Sequence, residues 1–129
     1  GYDKICKFEV GYVFEVLKHL VEGDEKFDLV ILDPPSFTKS KKNLPTAKRG
    51  YKEINAAAMR LLNDGGVLAT GSCSHHVTDE IFLEVVNESA KAAGRRVQLI
   101  DWRGAALDHP VLPSMTETKY LKFGIFFIQ

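Results

Sequence analysis

Residues 27–37 read FDLVILDPPSF, an unbroken apolar run that closes on a carboxylate, two prolines, a serine and an aromatic ring. Charge at Glu25 and Lys26 bounds the run on one side and Pro34-Pro35 on the other, which predicts a strand over 27–33. An apolar run without polar alternation fits a strand covered on both faces, as in parallel sheets. Working outward, three more segments read the same way. GVLATGSC (66–73) follows the turn signal Asp64-Gly65, and the others are 97–103 and 120–128. A weaker strand is expected over 5–10, ahead of Gly11.

Helical patterns alternate with these runs. Tyr51, Ile54, Ala58, Leu61 and Leu62 follow the spacing of a core-facing stripe that stops at Asn63-Asp64-Gly65-Gly66. Thr78 before Asp79 and Glu80 predicts an N-cap with acids in the first turn, and Gly94 predicts the end of that helix. A shorter helix is expected over 13–22, closed by Gly23. The alternation argues for a three-layer α/β sheet with right-handed crossovers. The link 104–119 holds Pro110 and Pro113 and shows no helical stripe. The last strand is therefore expected to run antiparallel within an otherwise parallel sheet.

The chain has 129 residues, 45% apolar, with 17 basic and 17 acidic side chains, so it is long enough for one packed domain and hardly two. No apolar run approaches the ~20 residues of a membrane span, and Cys6 and Cys73 cannot form a disulfide framework. A cytoplasmic protein is expected. Gly1 stands where a methionine would open a gene product, and this suggests a piece of a longer polypeptide. The balanced charge hides a local excess. Lys39, Lys41, Lys42, Lys48, Arg49 and Lys52 fall within 39–52 with no acid among them, either as a solvated surface or as a patch for phosphates.

In open α/β sheets ligands gather beyond the carboxyl ends of the strands. Two strands end in unusual chemistry here: one in Asp33-Pro34-Pro35-Ser36-Phe37, the other in Gly71-Ser72-Cys73-Ser74-His75-His76. Neighbouring strands lie about 5 Å apart, so if these two pair, Asp33 and Cys73 can face one substrate. The prolines stiffen the segment after Asp33 and leave its carbonyls free to accept hydrogen bonds, which suits an amino-bearing planar ring. Cys73 reads either as an inert core thiol or as a nucleophile lying before a helix N-terminus. No metal site is expected, because Cys73, His75 and His76 are too closely spaced for tetrahedral ligation and His19 and His109 are isolated.

Taken together, FDLVILDPPSFTKSKKNL, RGYKEINAAAMRLLNDGGVLATGSCSHH, DHPVL and TKYLKF resemble the catalytic domain of S-adenosylmethionine-dependent ribosomal RNA methyltransferases. More narrowly they resemble the large-subunit cytosine-5 enzymes whose full chains carry a PUA domain. The resemblance implies a Rossmann-like class I methyltransferase fold, of which 1–129 would be the C-terminal part of the catalytic domain. It implies S-adenosyl-L-methionine as cofactor and ribosomal RNA as partner. Cys73 matches the position of the nucleophile, and Asp33 that of an acid contacting the cytosine N3/N4 edge. Asp33, Pro34 and Pro35 would help hold base and cofactor, while Gly11 and Tyr12 fall near the adenine. Lys39, Arg49, Phe37 and His109 are the residues expected toward RNA and the substrate pocket.

The chain departs from that pattern in two respects: it contains no G-x-G-x-x-G-like turn to cradle the methionine part of the cofactor, and Tyr12 follows Gly11 where family members commonly have a small or acidic residue, so that its ring could either stack near the adenine or block the site. Two other readings stay open. One is methylation of a base nitrogen, which needs no thiol. The other is a non-catalytic α/β half-domain that self-associates to cover an exposed sheet edge.

Overall fold

A computed structural model of the chain describes residues 1–38 and 40–129, Asp3 by its backbone only. Three helices and four strands follow one another as α1 (Val13–Glu22), β1 (Phe27–Leu32), α2 (Leu44–Leu61), β2 (Leu62–Ser72), α3 (Asp79–Ala93), β3 (Val97–Arg103) and β4 (Lys122–Ile128). The sheet order is β1-β2-β4-β3. β1 and β2 are parallel, whereas β4 lies antiparallel between β2 and β3. The expected α/β class and the antiparallel last strand are both present. With no helix between β3 and β4, the chain can only double back along the sheet.

Helix ends follow local chemistry. Thr78 Oγ1 accepts the Ile81 amide at 3.3 Å, capping α3, and Gly94 ends it at φ +69°. Pro45 sits in the first turn of α2, where its missing N–H leaves no bond unmade. The stripe Tyr51, Ile54, Ala58 and Leu61 is buried as its spacing predicts. Between α2 and β2 the observed boundary differs from the expected one. β2 begins at Leu62, and the register passes from Phe27 opposite Leu62 to Leu29 opposite Val67. The glycine-bearing turn signal is thus accommodated as a bulge, with Gly65 at φ +81°. Arg95 secures it by donating to the carbonyls of Leu62 (3.1 Å) and Asn63 (3.0 Å).

The strand expected over 5–10 does not form. Ile5, Phe8 and Val10 are 79%, 90% and 104% exposed, and β1 is the edge of the sheet on that side. An extended apolar segment becomes a strand only when a neighbouring edge takes up its backbone hydrogen bonds, and this segment pairs with none.

This stretch of chain supplies two of the three expected layers. Both crossovers, β1 to β2 and β2 toward β3, step across the sheet in the same direction, so right-handedness puts α2 and α3 on one face. On that face Leu68, Thr70, Phe126 and Ile128 are buried against α2 and α3. The other face carries Leu29, Ile31, Val67, Ala69, Ile125 and Phe127. Its β1 end is open, Leu29 being 52% and Ile31 63% exposed. No helix among the described residues is long and apolar enough to cross a membrane.

The two faces make a paired forecast. Leu68→Ala should cost about 2–5 kcal/mol of stability, and Ile31→Ala within about 0.5 kcal/mol. Urea titrations of the 129-residue chain check both, and equal losses would contradict the one-sided core.

Candidate active site at the carboxyl ends of β1 and β2

Parallel pairing brings the two chemically unusual strand ends together. Leu32 lies opposite Thr70, so the same register carried one residue further sets Asp33 beside Gly71. Cys73 is two residues beyond. At a rise of ~3.3 Å per residue and a strand spacing of ~5 Å, the backbones of Asp33 and Cys73 lie about 8 Å apart. That gap is of the size a planar base can bridge. Asp33 is exposed and Cys73 half-buried. The thiol makes no side-chain hydrogen bond among the described residues.

The backbone around Cys73 is held by its two serines. Ser72 Oγ donates to Tyr51 Oη at 2.9 Å and accepts the Ser74 amide at 3.2 Å. Ser74 Oγ donates to the Thr38 carbonyl at 3.3 Å, and Ser36 Oγ donates to that same carbonyl at 2.7 Å. The Thr38 hydroxyl in turn donates to the Ser40 carbonyl (2.6 Å) and accepts its amide (3.1 Å). The loop that starts at Asp33 and the loop that bears Cys73 are therefore one hydrogen-bonded unit. Tyr51 is wholly buried, and burial pushes its phenol above the ordinary tyrosine range. The Ser72 hydroxyl and the Phe37 backbone partly offset this.

An aromatic series ties the same rim to the core. Ring centroids are 5.4 Å apart for Tyr12–Phe14, 6.0 Å for Phe14–Phe37, 4.6 Å for Phe37–Tyr51 and 5.8 Å for Tyr51–Phe82. Tyr12, at the N-cap of α1, stands at the outer end of this series and is 63% exposed. At Gly11 a Cβ would meet Val16 Cγ2 at 2.7 Å, so this glycine lets the chain pass close to the first turn of α1. Pro34 is half-buried and Pro35 exposed at the rim.

The remaining expected residues are more scattered. Phe37 packs between Phe14 and Tyr51, against Gly50, and so serves the core as well as the rim. Lys39 lies outside the described residues. Of its basic neighbours, Lys48 pairs with Glu84 (2.8 Å) and Lys52 with Glu88 (3.6 Å) across to α3. Lys41, Lys42 and Arg49 are exposed and make no ion pair among the described residues. His109 is exposed in the 104–115 loop beside Asp108, 3.2 Å away. Two residues on, Val111 and Leu112 join His75, Asp79 and Lys119 in lining a cleft of about 310 Å³ next to the Cys73 loop.

Three participants were not among the expected residues: the Tyr51 hydroxyl, Thr38 and Lys122. Lys122 was the most visible of them. It stands in an apolar strand at the same two-residue period as Phe126 and Ile128, which predicts a charge on the buried face.

The sheet order and the helical layer make a Rossmann-like α/β fold. A protein of Streptococcus mutans assigned as a SAM-dependent methyltransferase matches 92% of this chain at TM-score 0.75 and 19% identity. The structure of SMU.776 complexed with SAH matches to the same extent. Trm5b of Pyrococcus abyssi matches 84% at TM-score 0.54. These likenesses show the fold. In sequence, the chain is homologous to ribosomal RNA large subunit methyltransferase I. It is 46% identical over 110 residues to that of Escherichia coli (strain SMS-3-5 / SECEC) and, again at 46%, to that of Salmonella arizonae. Those alignments take in 85% of this chain but only 28% and 27% of the relatives, so the chain spans about a quarter of their length. No family model matches the chain.

The buried phenol carries a pH signature. A raised pKa makes its contribution to stability complete below about pH 10 and progressively lost above it. Tyr51→Phe should flatten the fall of Tm between about pH 9.5 and 11 relative to wild type. Parallel thermal melts over that interval check this, and superimposable slopes would contradict it.

Proposed function

We propose that this chain is the C-terminal part of the catalytic domain of an S-adenosylmethionine-dependent ribosomal RNA cytosine-5 methyltransferase. The observation that carries the reading is the union of the two loops, the Asp33 loop and the Cys73 loop, through the Ser74–Thr38 hydrogen bond at adjacent parallel strand ends. The 46% identity to enzymes named for ribosomal RNA methylation supports the substrate class. The open β1 edge and the apolar face beside it support a continuation of the sheet and a further helical layer in the polypeptide that carries this chain.

In this reading the Cys73 thiolate adds to C6 of the cytosine ring, and the electron pair of the C5–C6 double bond moves toward C5. Asp33 contacts the N3/N4 edge and stabilises the ring through this addition. S-adenosylmethionine supplies the methyl group that C5 receives. Transfer of the C5 proton to a water molecule acting as base then returns an electron pair to the ring, and the carbon–sulfur bond breaks to release Cys73 as the thiolate. In this reading the exposed Tyr12, Gly11 beside it and the carbonyls of Pro34 and Pro35 would take one side of such a cofactor. The methionine side would be held by glycine-rich backbone that these 129 residues do not contain. Carbon methylation is favoured over nitrogen methylation because the latter has no use for a thiol at this point.

Cys73→Ala in the polypeptide carrying this chain should abolish methylation of ribosomal RNA, and Asp33→Asn should lower kcat by at least about 100-fold, in the range of a lost charge-stabilising contact. Tritium transfer from labelled cofactor checks both. Full activity of the Cys73→Ala protein would remove the mechanism.

The basic stretch makes a separate forecast. Arg49→Ala should reduce the salt slope of RNA binding by about one, whereas Lys48→Ala, already paired with Glu84, should change it less. Filter binding between 50 and 200 mM salt, the range of about 10³–10⁵ affinity loss for phosphate-binding proteins, reads the difference.

A further inference from the structure

β4 carries a lysine where its strand period calls for an apolar side chain. Lys122 lies opposite Ser72 in the β2–β4 ladder and is only 3% exposed. Its ammonium donates to the Ser74 carbonyl at 2.6 Å and to the Tyr120 carbonyl at 2.7 Å. Taking an ammonium out of water costs several kcal/mol unless strong hydrogen bonds replace the lost hydration. Among the described residues no carboxylate hydrogen-bonds to it; Asp79 pairs instead with Lys119, at 3.1 Å. A methionine would fill the same space without that cost, so packing alone does not explain the lysine.

Its partners do explain it. The Ser74 carbonyl belongs to the residue directly after Cys73, and it also accepts the Val77 amide at 3.2 Å to close the turn ahead of α3. Ser72 and Ser74 thus hold Cys73 from three sides: from α2 through Tyr51, from the Asp33 loop through Thr38, and from β4 through Lys122. Of the three ties, the Lys122 bond is the charged one, and charge-assisted bonds are shorter and about twice as strong as neutral ones. Close approach of β4 to this point is secured by Gly71, where a Cβ would meet Phe123 Cδ2 at 2.8 Å and the Lys122 carbonyl at 3.0 Å.

We propose that Lys122 is a positioning residue for the Cys73 nucleophile, fixing the Ser74 carbonyl and with it the backbone that carries the thiol. This rests on the reading of Cys73 given above, and its test separates the two. Amide hydrogen exchange of the 129-residue chain is followed by mass spectrometry in wild type, Lys122→Met and Lys122→Arg. Lys122→Met should speed exchange over residues 73–77 at least tenfold while α2 and the body of α3 stay as they were, and Lys122→Arg, which keeps the donors and the charge, should recover most of the protection. Unchanged exchange in Lys122→Met, or no recovery with arginine, overturns the proposal. Should Lys122→Met not fold, wild type decides: residues 73–77 must exchange more slowly than the exposed loop 105–109, and equal rates overturn it. In the polypeptide carrying this chain, Lys122→Met should lower kcat at least tenfold with KM for S-adenosylmethionine and RNA unchanged. Normal turnover there, with Cys73→Ala inactive, overturns the positioning role and leaves the nucleophile standing. An active Cys73→Ala protein removes the nucleophile, while the exchange data still report on the clamp.

Discussion

A phenol buried to zero exposure cannot take its hydrogen bond from water, and Tyr51 finds its partner in Ser72 at the very end of β2. That bond links the middle of α2 to the point where the strand stops, so the helix cannot slide on the sheet without stranding a buried hydroxyl. Phe37 packs against the same ring, tilted by 52° with centroids 4.6 Å apart, and carries the Asp33 loop with it. Helix, strand end and loop therefore share one fixed point, and Cys73 is the next residue along from it.

Around it, the energetics divide by face. The helical side of the sheet is a dry core in which Leu68, Phe126, Ile128 and the α2 stripe exclude water. Ser72, Tyr51 and Lys122 enter it paired, the condition under which buried polar groups cost least, whereas Thr70 Oγ1 and Asn55 Oδ1 are buried there with no hydrogen-bond partner among the described residues. Lys122 is held below the usual lysine range chiefly by burial, with Asp79 and Cys73 acting in the opposite direction. Burial thus works against a charge at this position, and the bonds to the Ser74 and Tyr120 carbonyls work for it. The open side lacks such a layer, and the exposed Leu29 and Ile31 mark where further apolar surface would be satisfied.

The ion pairs on the surface belong to a different scale. Lys48–Glu84 and Lys52–Glu88 join α2 to α3 through partly solvated side chains, a class of contact worth at most about 1 kcal/mol each. Their importance lies in subtraction. They withdraw two cations from the basic stretch and leave Arg49, Lys41 and Lys42 to meet an outside anion.

Much of this was legible from residues alone, because it follows from local rules. Thr78 and Gly94 bound α3, the stripe from Tyr51 to Leu61 found its face, and the proline-bearing link forecast an antiparallel β4. The Asp33 and Cys73 ends could be singled out because carboxylate, prolines and thiol stand where apolar runs stop. What local rules could not supply was partnership. Residues 5–10 have the composition of a strand and no neighbour to pair with, and Asn63–Gly66 have that of a turn yet bulge within β2 because Arg95 takes up the carbonyls at its start. The basic stretch looked uniform until α3 brought Glu84 and Glu88 against it. Composition and period by themselves determined which segments are helices or strands and which residue types crown them. Only the tertiary structure decided that Ser72, Ser74, Thr38, Tyr51 and Lys122 converge on one cysteine, because a hydrogen bond between residues up to 48 positions apart exists only once the sheet has set their distance.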